Sequence, residues 1–256
     1  MEYVAFLRAR RVLTWYGGIL FGLLAIGLVL MFKNGSPELQ MSHDRNPRIP
    51  FGVLLAGTAF SPLVIAAFLG VGLDAEYRTT AIAWTRPLAR LAIAARYIAV
   101  DFGAMFVAWM IGLVVALVPL FALGLGKYVV YDTVGLSMIG LVLGCAAMWY
   151  GLIVFFAALV PGRGGAVAGF SWGYALVVPA ISLIGFPPVI RTAIGLLNYL
   201  SPLAYLGSTA VDSNGGMSSQ TLIAGTGLEH TIATWAIGAV ALVAGAYIWS
   251  KREVPA

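Results

Sequence analysis

An all-α polytopic membrane protein with six transmembrane helices is the fold class this sequence predicts, and three observations predict it. Of 256 residues, 61% are hydrophobic and 10% are charged, whereas an ordinary soluble domain carries about 25% charged residues. One soluble core does not hide that much apolar surface, so the solvent for most of the chain is lipid. Apolar runs of about the 20 residues that an α-helix needs to cross the hydrocarbon recur along the sequence. Basic residues divide unequally between the two sides that six crossings define, as orientation in a membrane requires. No stretch is polar and long enough for a separate soluble domain, so 1–256 is read as one transmembrane domain.

Met1 to Leu13 mixes Arg8, Arg10 and Arg11 with Tyr3, Val4, Phe6 and Leu7, the composition of a short interfacial helix. The run 14–32 is too long for a signal-peptide core and lacks a small-x-small site at its end, so it reads as a retained first span. Lys33 to Pro50 is a polar loop with Pro37, Pro47 and Pro50. The second span is 51–73, interrupted by Pro62, and the third is 98–125, with Pro119 near its end. The fourth span, 134–160, leads through the tight turn Pro161-Gly162-Arg163-Gly164 to the fifth, 165–186. Region 187–229 begins apolar but is broken by Pro187, Pro188 and Pro202, which fits a re-entrant or surface-lying helical pair. Ser213 to Gly227 reads as a Gly/Ser/Thr-rich loop, and the sixth span is 230–249.

Six spans put both ends of the chain on one side. That side holds ten of the basic residues and the other holds five: Lys33, Arg45, Arg48, Lys127 and Arg191. Acidic residues divide five and five. The bias places both termini in the cytoplasm of a cell (inner) membrane protein. It also accounts for the net charge of +5 without any nucleic-acid partner.

The most charged stretch of this apolar chain is Asp74 to Asp101, which holds Glu76, Arg78, Arg86, Arg90 and Arg96. Glu76 to Thr85 is expected to be helical, Pro87 disfavours helix at Arg86 and forces a break, and Leu88 onward resumes helix into the third span. Ala81, Ile82 and Trp84 set apolar residues beside the charges, as a docking face does. The plainer reading is a positive-inside loop that touches nothing.

Glu76-x-Arg78-Thr79-Thr80, then Ala83-Trp84-Thr85-Arg86-Pro87-x-x-Arg90, then Arg96, resembles the first cytoplasmic loop of type-2 ABC exporter permeases. Thr79 stands where that pattern usually has Gly, and Arg96 where Lys is common. Ser201-Pro202 and the closing Lys-Arg-Glu-Val are also similar. The resemblance implies a permease subunit that pairs with a second copy or a similar chain, while a separate cytoplasmic ABC ATPase subunit docks on each. Glu76, Arg78, Trp84, Arg86, Pro87, Arg90 and Arg96 would then form the coupling element. ATP and Mg would be bound by the partner, and this chain would bind no cofactor and catalyse nothing itself.

Other motifs carry plainer readings. Gly124-x-Gly126-Lys127 lacks the first glycine and the Ser/Thr of a phosphate loop and reads as an outer turn. Gly169-Phe170-Ser171-Trp172-Gly173 matches the G-x-S-x-G nucleophile pattern, but it lies inside an apolar span with no base near it. Gly165, Gly169 and Gly173 instead make a small-residue stripe at spacing four, as do Gly18 with Gly22 and Gly140 with Gly144. Such stripes are faces for close helix packing. His43 with Asp44 and His230 with Glu229 are too few for a metal site and read as solvated loop. Asp101 reads as an anchor near the cytoplasmic end of the third span, within reach of water or Arg96. Thr58, Ser61, Phe170, Ser171 and Tyr174 suggest a path for an amphipathic or lipid-like cargo, with membrane lipid as a further partner. The competing readings are a membrane enzyme acting on lipid or peptide, for which no acid pair, Ser–His pair or metal cluster is visible, and a scaffold without a motor.

Overall fold

The computed structural model describes residues 2–34, 49–72, 87–131, 133–182, 186–206, 208–211, 217–220, 222–223 and 226–251. Among them are α1 (Glu2–Asn34), α2 (Phe51–Thr58), α3 (Phe60–Gly70), α4 (Pro87–Ala122), α5 (Thr133–Leu159), α6 (Gly164–Ser182), α7 (Pro188–Asn198), α8 (Pro202–Leu206) and α9 (Gly227–Lys251). Six segments are long and apolar enough to cross a membrane: Tyr3–Leu30, Phe51–Gly70, Arg90–Ala122, Ser137–Leu159, Gly164–Ser182 and Gly227–Lys251. A short 3-10 helix (Leu125–Tyr128) and two short ladders are also present among the described residues. β1 (Ile49–Pro50) runs parallel to β2 (Val129–Val130), and β3 (Ser208–Val211) pairs antiparallel with β4 (Met217–Gln220).

Contacts at the helix ends show that successive spans alternate in direction. One end of the bundle gathers Gly72 against Arg8, Gly164 against Val71 and Arg90 bonded to the Ser250 carbonyl at 3.1 Å. The other end gathers Leu28, Leu54, Leu120, Leu123 and Leu125 in a small apolar cluster, with Phe51 and Tyr131 in ring contact at 5.1 Å.

Helix α5 is the centre. Seventy-two per cent of its apolar window is buried, against 6% for α1, which lies at the periphery with most of its apolar side chains outward. The closest pairing is α5 with α9, and glycine makes it close. A Cβ at Gly238 would stand 2.7 Å from Met148 N and 2.8 Å from the Ala147 carbonyl carbon, and one at Gly245 would stand 2.9 Å from Phe155 Cα. Helices in lipid gain little from hydrophobic burial against one another, so backbone approach through small residues is what holds them.

Prolines mark where the spans bend. Pro62 has no N–H for the Thr58 carbonyl, and the second span is accordingly split at Ala59 into α2 and α3. Pro179 lies inside α6 and leaves the Ala175 carbonyl without its helical donor. The Ser201 hydroxyl donates to that carbonyl from outside the helix, at 3.3 Å. This is the kind of replacement that lets a span carry a proline.

Several boundaries differ from the sequence reading. Met1–Leu13 is not a separate interfacial helix: residues 2–34 form one α-helix, because nothing between Leu13 and Thr14 breaks it. The third-span helix starts at Pro87, the first helical position, where a missing N–H goes unneeded. The fifth ends at Ser182 rather than 186. The stretch 213–227 is not all loop, since Met217–Gln220 is a strand. The sixth starts at Gly227 because Thr226 and Glu229 form a capping box. Thr226 N donates to Glu229 Oε2 at 2.7 Å and Glu229 N to Thr226 Oγ1 at 3.3 Å. His230 is therefore not in a solvated loop: it is buried, with its ring edge-on to Tyr205 at 5.5 Å. Two short helices, α7 and α8, follow the fifth of these segments.

Candidate functional site

A charged node ties three spans together at the end of the bundle that holds the N-terminus. Arg8 Nη2 donates to both oxygens of Asp101, at 2.6 and 2.8 Å, and the Tyr150 hydroxyl donates to Asp101 Oδ2 at 2.7 Å. The Arg8 guanidinium also lies 5.5 Å from the centre of the Tyr97 ring. Asp101 is fully buried, whereas the Arg8 side chain keeps 16% of its surface. Gly72 leaves room for the guanidinium: a Cβ built there would coincide with it. From Asp101 to the end of α4 at Ala122 is about 32 Å of helix, close to the roughly 30 Å of hydrocarbon in a bilayer. The node therefore lies at one edge of the apolar layer. Asp101 is thus paired with Arg8, on another helix. Arg96 is exposed on the same helix as Asp101.

Thr58 and Ser61, expected on a cargo path, are built into the bundle instead. The Thr58 hydroxyl accepts from Trp109 Nε1 at 3.0 Å and donates to the Leu55 carbonyl at 2.7 Å. Ser61 accepts from the Tyr16 hydroxyl at 2.7 Å, and Gly112 packs directly on it. Both residues are buried. They join the second span to α4 and α1 where Pro62 has loosened the helix.

Phe170, Ser171 and Tyr174, the other three residues of that expectation, do line one cavity. It has a volume of about 520 Å³ and lies between α5, α6 and α7. Trp149, Phe156 and Leu197 supply further wall, and Arg163, from the turn before α6, is its one charged lining residue. The wall is almost wholly apolar. Phe170 is 78% exposed and Ser171 is buried, so the cavity opens toward the lipid side of α6. The Tyr174 hydroxyl donates to the Leu197 carbonyl and pins α7 across the far end. Ser171 lies mid-helix with no histidine among the lining residues, which leaves the G-x-S-x-G match as helix sequence.

The glycine stripes divide in two. A Cβ built at Gly140 would stand 3.3 Å from Thr231, and Gly144 sits under Thr234 and Trp235, so this stripe packs α5 on α9. A Cβ at Gly18, Gly22, Gly165, Gly169 or Gly173 would meet nothing within 4 Å. Within the chain these five are not packing positions, contrary to the sequence reading. Of the coupling residues, Glu76, Arg78, Trp84 and Arg86 lie outside the described residues, as do His43 and Asp44. Pro87 opens α4, and Arg90 bonds the end of α9. The Gly124–Lys127 stretch is a tight turn with Gly124 at φ +71°, which leads into a short 3-10 helix. Among the described residues no three His, Cys, Asp or Glu side chains are grouped to hold a metal.

Sequence spacing did not signal the node, since Arg8 and Asp101 stand 93 positions apart. The one available signal was an acidic residue in an otherwise apolar span, which needs a partner. Comparison of the chain with family models, with curated proteins and with solved structures returned no match.

Proposed function

We propose that this chain is the transmembrane permease subunit of an ATP-driven exporter, with both termini cytoplasmic in a cell (inner) membrane. It pairs with a second permease and with two separate ATPase subunits that bind ATP and Mg. Its cargo is amphipathic or lipid-like: a drug, peptide or lipid. The observation that carries this reading is the cavity between α5, α6 and α7. It is apolar, open on the lipid side and within the size range of small-molecule sites, and Arg163 supplies a cation at one end for a polar or anionic head. The Asp74–Asp101 stretch supports it from the sequence, because it resembles a loop that receives a motor. The node adds a mechanical argument. α4 begins within that stretch, at Pro87, and is fastened by Asp101 to α1 and α5, so a push on its first turns reaches three spans at once.

The test is purification from native membranes with any bound soluble ATPase, followed by assay of ATP hydrolysis. Trp84→Ala and Arg86→Ala are expected to insert and dimerise normally but to lose permease-dependent hydrolysis. Truncating one side of a desolvated charged contact costs about 2–5 kcal/mol, and aromatic anchors dominate interfaces. Arg11→Ala, an exposed residue with the same charge on the same side, is expected to leave hydrolysis unchanged. Equal behaviour of all three variants would reduce the segment to a topology signal. Absence of any nucleotide-hydrolysing partner would favour a scaffold without a motor.

A further inference from the structure

A second, smaller cavity of about 160 Å³ lies where α6 ends and α7 passes over it. Ser182, Phe186, Arg191, Gly195, Asn198 and Leu222 line it. Unlike the apolar cavity, it has a polar wall. Arg191 and Asn198 stand two helical turns apart on α7, with Gly195 between them on the same face. Asn198 is only 3% exposed. Its Oδ1 is buried with no hydrogen-bond partner, and no bond to the rest of its side-chain amide occurs among the described residues. Buried amides are as a rule hydrogen-bonded, and one that is not points to a ligand or an ordered water. Arg191 donates to the Phe186 carbonyl at a long 3.3 Å, which leaves most of its five N–H donors for something else. Ser182 donates to the Pro179 carbonyl at 2.6 Å, so its proton is already used. A Cβ at Gly195 would meet no atom within 4 Å, so the cavity floor there is open.

We infer that this cavity is a binding site for a phosphate monoester, whose anionic oxygens take the Arg191 guanidinium donors and whose P–OH is accepted by Asn198 Oδ1, presented as a lipid headgroup. The chemistry fits. Guanidinium matches phosphate geometry with two parallel donors, and a phosphate monoester monoanion keeps one P–OH, which can donate to the orphaned Asn198 Oδ1. The depth fits as well. α6 has 19 residues, or about 28 Å of rise, so Ser182 stands at the opposite face of the hydrocarbon from the Arg163 turn. An arginine at that level lies among lipid phosphates. The site does not rest on the exporter reading, and its test needs no ATPase.

The chain, purified in a neutral detergent without phosphate, is titrated with dihexanoyl phosphatidic acid, with dihexanoylglycerol and with inorganic phosphate. Binding is followed by a thermal-shift or calorimetric signal. Phosphatidic acid is expected to bind at least about tenfold more tightly than dihexanoylglycerol, the scale of one hydrogen bond to a charged group. Arg191→Gln is expected to remove that preference, and Gly195→Leu, which fills the cavity, to abolish binding at this site. Arg191 and Gly195 contribute no core packing, and unchanged circular dichroism of both variants verifies their folding. Inorganic phosphate binding as tightly as phosphatidic acid would overturn the lipid assignment. Equal affinity for both lipids, or wild-type binding by Arg191→Gln, would overturn the site.

Discussion

Asp101 is the residue whose environment matters most. A fully buried carboxylate is tolerated in an apolar layer only with its charge matched and its oxygens bonded, and Arg8 and Tyr150 do both. Removing one partner strands the other. Asp101→Ala or Arg8→Ala is expected to lower stability by about 3–5 kcal/mol, whereas Arg8→Met with Asp101→Leu together is expected to lie near the wild type. Denaturation of the detergent-solubilised chain measures both, and a double variant as unstable as the singles would sink the account. At this scale the sequence was partly legible. It marked Asp101 as an anchor, because an acid in an apolar run has few other roles. It did not find Arg8, because pairing across 93 residues depends on which helices touch. The ties made by Thr58 and Ser61 were illegible for a related reason: a hydroxyl in a span serves equally as helix tie or as pore lining, and its bonds to Trp109 and Tyr16 depend on which helices touch.

For the helices, glycine spacing did not separate stripes that pack from stripes that face lipid. Gly238 and Gly169 show the difference. A methyl at Gly238 collides with the backbone of α5, which cannot move aside as a side chain can. Gly238→Ala is therefore expected to destabilise the chain by about 1–3 kcal/mol, the usual cost of overpacking. Gly169→Ala and Gly18→Ala are expected to leave the unfolding of the isolated chain unchanged within about 0.5 kcal/mol. If their open faces meet a second permease, the same two variants will lower the yield of cross-linked dimer in membranes. Unaltered yield would assign both stripes to lipid. Proline positions, by contrast, were legible. The break at Pro62 follows from a missing N–H, although the serine that compensates for Pro179 came from a distant loop and was not foreseeable.

At the level of the whole molecule, composition and run length identified all six spans, since the bilayer fixes helix length more strictly than any local preference does. The span ends moved by several residues, because capping and helix continuity set them and hydropathy does not. Orientation is the next quantity to measure. With Cys145 replaced, single cysteines at Gln40, Lys127 and Gly215 are expected to react with an impermeant thiol reagent in intact cells, and one at Ala83 to be protected. The reverse pattern would invert the topology and carry the Asp74–Asp101 stretch away from any cytoplasmic motor.

The Arg8–Asp101 pair also has a consequence for biogenesis. At about 5–20 residues per second of translation, the 93 residues between them represent roughly 5–20 s during which α1 has been made and its counter-charge has not. α1 buries little of its length against the rest of the bundle, and at its first turns the small side chains of Ala5 and Ala9 are what packs beside the pair. A nascent chain halted before residue 101 should leave α1 loosely inserted and easily stripped by alkaline extraction. One halted after α5 has emerged, with Tyr150 in place, should resist.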